Sequence, residues 1–176
     1  MAKVHAGLAK HGNVWLALEQ TAGKGQRGRT WESAPGENVV FTAVLEPGFL
    51  PLDSQVLLSY AVALACYDLF SRYAGEETKL KKPNDLYWRD RKAGGILIEN
   101  VIRTGRWTHA VVGIGININQ TSFSPDLPNP VSLKQITGKT FDPMQLSREL
   151  CECLERRYEQ LKMEPSVVEA EFKSRL

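Results

Sequence analysis

Cysteine and histidine are scarce in this sequence, with three of each among 176 residues. Cys66, Cys151 and Cys153 form no CxxC pair, and the last two would point to different faces of a helix. We therefore expect buried, reduced thiols, as in a cytoplasmic protein, rather than a redox or metal site. No carboxylate cluster is typical of an all-protein metal cage, so any Mg²⁺ would be carried on the phosphates of a ligand.

Long apolar runs are also lacking. No run approaches the roughly 20 residues of a membrane span, and no signal peptide opens the chain. We therefore expect no membrane partner. The length predicts one domain, residues 1–176, that is large enough to bury a core.

Negative charge is sparse in two segments of the chain. The net charge is +2, but residues 24–29 carry +3 and residues 79–92 carry +4, which leaves −5 for the remainder. Cations gathered in two segments of an otherwise acidic chain indicate a local anion site rather than a broad nucleic-acid-binding face.

Predicted helices and predicted strands follow one another along the sequence in mixed order, without regular alternation. The patterns predict a helix at 2–11, strands at 14–20, 38–45, 86–88, 96–101 and 107–119, a short helix at 131–137, and helices beginning at Asp53, Asp142 and Ser166. The link at 103–106 is short, so its two strands are predicted to be antiparallel. The fold class that follows is α+β, with a mostly antiparallel, mixed sheet and helices packed on it.

Two of the predicted helices have apolar stripes that indicate their buried faces. Asp53 is the expected cap of the first helix, and its predicted core stripe is Val56, Leu57, Tyr60, Leu64 and Tyr67. Asp142 and Pro143 supply a cap and a first-turn proline for the second helix, with Gln145 at the capping-box position. Its predicted buried stripe is Leu146, Leu150, Leu154, Tyr158 and Leu161.

The flap, residues 21–31, has the sequence TAGKGQRGRTW, with three glycines, three cations and a closing tryptophan. Glycine lets the backbone approach a ligand closely, and consecutive exposed N–H groups suit anions. The composition favours a cationic loop for a phosphate or carboxylate, although a solvated turn has the same composition.

Two further stretches carry unusual glycines. Residues 79–99 are predicted to form a hairpin in which Gly94 and Gly95 open a strand. Gly113 and Gly115 alternate on one face of the following strand, where glycine weakens a strand unless something approaches closely. A ligand lying flat on that face, or a bulge or tight helix contact, would explain them.

Together these segments resemble biotin protein ligases. The resemblance rests on Gly23–Trp31, on Lys81–Leu86 with Arg91–Leu97, and on Gly113–Asn117, in that order and separation. It implies a central catalytic domain similar in fold to class II aminoacyl-tRNA synthetases. The implied reaction activates biotin with ATP to biotinyl-5′-AMP, then transfers biotin to one lysine of a carboxylase's biotin carboxyl carrier domain.

The resemblance assigns catalytic roles to Lys92 and Asp85. A point cation where a carboxylate attacks the α-phosphate would stabilise the charge of the transition state, and an ammonium on a flexible stem suits this role. A carboxylate near the acceptor lysine could orient that lysine and accept its proton. Without the resemblance, Lys92 is an ordinary solvated hairpin lysine and Asp85 an ordinary turn residue.

The resemblance also implies two sets of substrate-binding residues. The Gln20 amide suits the ureido ring of biotin, and the implied biotin-binding set is Gln20, Gly23, Lys24, Lys92, Gly95, Leu97, Gly113 and Gly115. The flap would close over the adenylate and exclude water. The implied nucleotide-binding set is Lys24, Arg27, Arg29, Trp31, Asn84 and Asn117.

The sequence departs from the family pattern in several places. Gln26 and Lys82 stand where many members have arginine and tryptophan, and Gln26 removes one possible charge from the flap. No counterpart of the family's Ser-Thr-Asn segment, of its small C-terminal β-domain or of a helix-turn-helix is expected in this chain, so we expect no DNA partner. A lipoate ligase of the same superfamily and a nucleic-acid-binding module are the alternatives, and a monomer or a homodimer is equally compatible.

Overall fold

The computed structural model describes residues 1–82 and 85–176. Six strands form one sheet in the order β1-β2-β6-β5-β4-β3, and every neighbouring pair is antiparallel. The strands are β1 (Val14–Leu16), β2 (Val39–Leu45), β3 (Thr78–Lys81), β4 (Asp85–Trp88), β5 (Arg91–Arg103) and β6 (Arg106–Ile116). The helices are α1 (Ala2–His5), α2 (Gln55–Ala74), α3 (Leu133–Thr137), α4 (Pro143–Met163) and α5 (Pro165–Ser174). The predicted α+β class and the antiparallel pairing of β5 with β6 are confirmed.

One face of the sheet carries the hydrophobic core. Helix α2 packs against α4 and α5, and these helices cover the side of the sheet on which Phe41, Leu86 and Ile114 are buried. At one end of the opposite face, Val4 and Ala9 cover Val44 and Val111 in a smaller cluster. The rest of that face is therefore free to form a cavity.

The boundaries of several elements differ from the predicted ones. Helix α1 ends at His5 rather than at residue 11, because Gly7 adopts a φ of 69° that turns the chain away. Strand β1 stops at Leu16, and β5 begins five residues earlier than predicted, at Arg91. Strand β3 was not predicted as a separate element.

The capping of α2 was predicted wrongly. Asp53 lies in a 3₁₀ turn, Leu52–Ser54, and its carboxylate accepts a hydrogen bond from the Ser54 hydroxyl at 2.9 Å rather than from the helix backbone. The predicted core stripe is also displaced, because Val56 is 49% exposed whereas Leu58, Ala61 and Leu69 are buried. Since α2 is apolar around most of its circumference, periodicity alone does not indicate which side faces the sheet.

The prediction for α4 is largely confirmed. Asp142 accepts from the Met144 N–H at 2.8 Å, and the whole predicted stripe, Leu146, Leu150, Leu154, Tyr158 and Leu161, is buried. Gln145 does not complete a capping box, since its side chain donates to Glu149 at 3.3 Å. The capping box occurs in α3, between Ser132 and Gln135.

Helix α2 with its preceding turn, Leu52–Ala74, has a mean hydropathy of 1.2. By length and composition alone, this segment is long and apolar enough to cross a membrane. The expectation that no segment reaches this length is therefore wrong. The same composition is typical of a core helix, and α2 packs against α3, α4, α5 and the sheet.

The three cysteines are free thiols, as predicted. Burial raises the pKa of the Cys66 thiol above its usual value, and burial likewise raises the pKa of Cys153 and of the half-buried Cys151. These thiols are therefore protonated at neutral pH, as expected of structural cysteines.

An ionic network joins α2, α4 and α5. Arg157, 8% exposed, donates to Asp68 at 2.7 and 2.8 Å and to Glu171 at 2.6 and 2.8 Å. Arg156 also donates to Asp68, at 2.8 Å, but it lies at the surface with 54% of its side chain exposed. A buried cation held by two carboxylates fixes the three helices relative to one another.

We expect Arg157→Ala to lower the free energy of unfolding by about 3 kcal/mol, because it leaves two largely buried carboxylates without their shared cation. Urea denaturation measures the loss. The matched variant Arg156→Ala removes an exposed partner of the same Asp68 and should cost under about 1 kcal/mol. Equal losses for the two variants would show that Arg157 has no special role.

Candidate active site

A cavity of about 500 Å³ lies on the sheet face opposite the main helices. It is bounded by strands β2, β4, β5 and β6, by the flap and by the loop that follows β6. The cavity brings together most of the residues proposed from the sequence: Gln20, Lys24, Arg27, Arg29, Trp31, Asp85, Lys92, Gly95, Leu97, Gly113, Gly115 and Asn117.

One of the proposed residues that the structure describes, Gly23, does not line this cavity. Gly23 is buried at the base of the flap, where its carbonyl accepts from the Trp31 N–H at 2.9 Å. A Cβ on Gly23 would overlap the Trp31 carbonyl oxygen and lie 2.7 Å from Oε1 of Gln20. Gly23 therefore shapes the flap rather than touching the cavity, and Asn84 lies outside the described residues.

The glycines form the floor of the cavity through the register of the central strands. Gly115 pairs with Gly95 on β5, and Gly113 pairs with Leu97, so all four residues face the same side. This confirms that Gly113 and Gly115 share one face. A floor without Cβ atoms is flat enough for a ring to lie directly on the backbone.

The ring that lies on this floor in the structure is the indole of Trp31. A Cβ on Gly115 would overlap the indole, with Nε1 at 2.6 Å, and a Cβ on Gly95 would lie 3.4 Å from Cζ3. The indole Nε1 is buried and has no hydrogen-bond partner among the described residues. A buried N–H without a partner is costly. We therefore expect the Trp31 indole to be displaced from the floor more readily than the rest of the cavity lining.

The flap is a small hairpin. Lys24 pairs with Thr30, the Gly25 N–H donates to the Arg29 carbonyl at 2.7 Å, and Gln26–Gly28 form the tip. Arg27 has a φ of 56°, an uncommon conformation for a residue with a side chain. The tip therefore holds its backbone in a conformation that most residues avoid.

The three cations of the flap remain available to a ligand. Lys24, Arg27 and Arg29 are exposed, and none forms a salt bridge within the part of the chain that the structure describes. All three line the cavity. Their charge therefore favours an anion beneath the flap.

Lys92 and Asp85 form an ion pair at the cavity wall, with Nζ 2.7 Å from Oδ1 and about a quarter of each side chain exposed. Asp85 is the first residue of β4, directly opposite Gly95 on β5. The pair thus lies beside the glycine floor, where a charged group of a ligand on that floor would meet the ammonium.

Lys92 reaches the cavity because β5 contains a β-bulge. Leu86 pairs with Gly94 and Tyr87 with Lys92, so Ala93 has no partner on β4. In a regular strand Lys92 and Gly95, three residues apart, would face opposite sides. The bulge places them on the same side, and Cε of Lys92 lies 3.7 Å from the position of a Cβ on Gly95.

The loop after β6 forms a wall of the cavity that was not predicted from the sequence. Phe123, Leu127, Pro128 and Pro130 line the cavity, and the Arg91 guanidinium donates to the Pro130 carbonyl at 2.6 Å. The proline and serine content had indicated only a loop. Glu32 and Glu99, which also line the cavity, were not singled out either.

The prediction that any Mg²⁺ is carried on the phosphates of a ligand concerns how metal-binding side chains are distributed in the structure. Among residues 1–82 and 85–176 there is no group of three or more histidine, cysteine or carboxylate side chains that could hold a metal ion. The carboxylates at the cavity are instead distributed separately over its wall, at positions 32, 85 and 99.

We expect Gly115→Ala to displace the Trp31 indole, because the new methyl group would occupy the position of the ring while the strand itself stays in place. The ¹⁵N–¹H signal of the Trp31 indole, assigned with Trp31→Phe, should shift and become accessible to solvent. In Gly113→Ala the new Cβ would meet nothing closer than the Leu97 carbonyl at 3.5 Å, an ordinary contact. An unchanged indole signal in Gly115→Ala would contradict the placement of Trp31.

Comparison with known proteins gives one consistent family. A sequence model of the biotin/lipoate A/B protein ligase family matches residues 3–117. The chain is 33% identical over 153 residues to the bifunctional ligase/repressor BirA of Bacillus subtilis, covering 85% of this chain and 47% of that protein. It is 38% identical over 149 residues to a biotin–[acetyl-CoA-carboxylase] ligase of Paracoccus denitrificans, covering 80% of this chain and 60% of that protein.

The fold is also that of solved biotin protein ligases. The structure matches the biotin protein ligase from Aquifex aeolicus in complex with biotin and ATP with a TM-score of 0.83 and 25% identity, over 96% of this chain and 70% of that chain. The Leishmania major enzyme in complex with biotinyl-5-AMP has the same fold, with a TM-score of 0.80 at 23% identity. The chain spans about half the length of the BirA proteins that it matches.

Proposed function

The chain belongs to the biotin/lipoate A/B protein ligase family, and from this premise we propose that it activates biotin with ATP and transfers it to a protein lysine. The first step joins the biotin carboxylate to the α-phosphate, forming biotinyl-5′-AMP and releasing pyrophosphate. In the second step the amine of a lysine on a biotin carboxyl carrier domain attacks the acyl carbon, and AMP leaves. Both steps take place in the cavity beneath the flap. We further propose that the protein is cytoplasmic.

The observation that carries this proposal is the position of Lys92 beside a flat glycine floor and beneath a cationic flap. Attack of a carboxylate on a phosphate brings two anions together, and cations fixed at their junction lower the energy of the transition state. Lys92 lies at the wall, with Lys24, Arg27 and Arg29 on the flap above it. Asp85 holds the ammonium in place through the 2.7 Å ion pair.

The floor of the cavity suits the bicyclic ring and the acyl chain of biotin. Gly95, Gly113 and Gly115 offer a surface without side chains, and Leu97 adds an apolar contact. Gln20 presents an amide at the same cavity, which can both donate to and accept from the ureido group. Gly23 supports the part of the cavity near Gln20, because it holds the base of the flap.

The nucleotide is placed between the flap and the end of β6. Arg27 and Arg29 would bind its phosphates, and Trp31 would leave the glycine floor to cover the adenylate when the flap closes. Asn117 lines the cavity at the proposed adenine position, and Asn84 is proposed for the same nucleotide on the resemblance alone. Mg²⁺ would arrive on the phosphates of ATP.

The two alternatives have less support. The Paracoccus denitrificans relative is a biotin–[acetyl-CoA-carboxylase] ligase and the matched Aquifex aeolicus structure is a biotin protein ligase, whereas neither is a lipoate ligase. A nucleic-acid-binding module would spread its cations over an open face, whereas the flap cations and Lys92 line one cavity. We propose a small-molecule site and no DNA partner, in a monomer or homodimer.

We expect Lys92→Ala to reduce biotinyl-AMP formation by about 10²-fold or more, because it removes a cation from the junction of the two reacting anions. Affinity for biotin should change far less, because the glycine floor and Gln20 are unaltered. Adenylate formation is measured as pyrophosphate release in the presence of biotin, ATP and Mg²⁺, and biotin affinity by calorimetry.

Lys81→Ala is the matched control for this experiment. Lys81 pairs with Asp85 in the register of β3 and β4, but it is exposed and lies outside the cavity. Its removal should leave the rate unchanged. The proposed function is wrong if the wild-type chain forms no biotinyl-AMP, and the role of Lys92 is wrong if Lys92→Ala retains the wild-type rate.

We expect Asp85→Asn to impair transfer more than activation. An asparagine oxygen can still accept from Lys92, so activation should fall by less than about tenfold, whereas loss of a general base costs about 10²–10⁴-fold in transfer. Single-turnover transfer from preformed biotinyl-AMP to a carrier domain, measured over a pH series, separates the two steps.

Glu77→Gln controls for a general change of charge near the hairpin, because the Glu77 side chain forms, among the described residues, only an exposed salt bridge with Arg89 at 3.7 Å. This variant should transfer biotin at the wild-type rate. Equal losses in activation and transfer for Asp85→Asn would show that Asp85 serves only to position Lys92.

A further inference from the structure

The backbone around the Ala93 bulge finds its hydrogen-bond partners outside the sheet. Strand β6 ends at Ile116, which pairs with Gly94, so β6 cannot pair with the first residues of β5. Residues 129–131, here called the strap, take its place. The Lys92 N–H donates to the Asn129 carbonyl at 2.9 Å, and the Val131 N–H donates to the Lys92 carbonyl at 2.9 Å.

Asn117 connects the bulge to the strap. Its main-chain N–H donates to the carbonyl of Ala93, the extra residue of the bulge, at 2.8 Å. Its side-chain NH₂ donates to the Val131 carbonyl at 3.1 Å and, at the limit of hydrogen bonding, to the Lys92 carbonyl at 3.5 Å. The partners of this group are carbonyl oxygens, which fixes the orientation of the amide.

The same residue is also tied to the next element. The Asn117 carbonyl accepts from the N–H of Leu133, the first residue of α3, at 3.1 Å. Asn117 is 4% exposed and Val131 is fully buried. A buried asparagine thus joins the end of β6, the bulge, the strap and α3, and two of its partners are the carbonyls of Lys92 and Ala93.

We propose that Asn117 is a positioning residue for Lys92: it stabilises the Ala93 bulge and the strap, and through them holds the ammonium at the reacting carboxylate and phosphate. This inference rests on the proposed function for its catalytic consequence. It also refines the proposed adenine contact. Because the side-chain NH₂ group is engaged by protein carbonyls, a contact with adenine would use the side-chain oxygen Oδ1 of Asn117.

Removal of the amide should act on the chemical step rather than on the binding of biotin. Without the NH₂ group the Val131 carbonyl is buried without its donor, so the strap separates more readily from β5. A misplacement of about 1 Å in a reacting group can cost about 10²-fold in rate. The glycine floor is formed by β5 and β6 beyond the bulge, so affinity for biotin should be retained.

Asn119 provides a matched control two residues further along the chain. It is buried to a similar degree, 7% exposed, and its side chain also makes hydrogen bonds to backbone groups, with Phe141 at 2.8 and 3.0 Å. It makes no side-chain hydrogen bond to Lys92, Ala93 or the strap within the described part of the chain. Asn119→Ala should therefore cost comparable stability without moving Lys92.

The experiment compares Asn117→Ala and Asn119→Ala in two measurements. Hydrogen exchange should accelerate about tenfold at the amides of Lys92 and Val131 in Asn117→Ala only. In pyrophosphate-release assays Asn117→Ala should lower kcat by up to about 10²-fold, with KM for biotin within about twofold of wild type. Asn119→Ala should leave both parameters near the wild-type values.

Unchanged exchange at Lys92 and Val131 in Asn117→Ala would overturn the inference, as would an equal loss of kcat in the two variants. If Asn117→Ala does not fold, the same comparison is made with Asn117→Ser, whose hydroxyl leaves a hydrogen-bonding group in the buried space. A wild-type chain that forms no biotinyl-AMP would defeat the proposed function. The exchange measurement would still decide whether Asn117 holds the bulge.

Discussion

The site depends on one local irregularity, the extra residue at Ala93 in strand β5. A sheet presents alternate residues to its two faces, and one face of this sheet is occupied by the core. Without the bulge, either Lys92 or Gly95 would face the wrong side. The bulge allows Leu86 and Ala93 to stay buried with the helices while Lys92 joins Asp85 on the other face. Core packing and the ion pair thus support the same register.

The two faces of the sheet impose opposite demands on the same strands. On the helix side, β2, β5 and β6 contribute large apolar side chains such as Phe41, Ile96 and Ile114. On the cavity side, Gly95, Gly113 and Gly115 contribute no side chains at all. Such strands would pair weakly if they stood alone. Their stability comes from the long ladder between β5 and β6 and from the buried layer beneath them.

Much of the fold and of the site could be predicted from the sequence, because the signals were local. The Asp142–Pro143 start of α4, its buried stripe and the shared face of Gly113 and Gly115 are confirmed. The family resemblance, resting on short motifs in order, is confirmed by the comparisons. The roles of the individual site residues remain predictions.

What the sequence could not provide depends on contacts between distant segments. The strap at 129–131 reaches β5 only in the folded chain, and nothing local to Ala93 indicates a bulge. Asp53 and Gln145 had good capping positions but found other partners, in Ser54 and Glu149. For α2, nearly continuous apolar character hid the direction of the core, so Val56 was wrongly assigned to it.

The indole of Trp31 on the glycine floor has a thermodynamic consequence. In this structure the floor is covered by the apolar indole ring. A ligand ring that takes this place exchanges one apolar contact for another at the floor, so the floor itself loses little additional apolar surface to burial. Since heat-capacity changes follow the apolar area buried, this part of binding contributes little to the heat capacity of association.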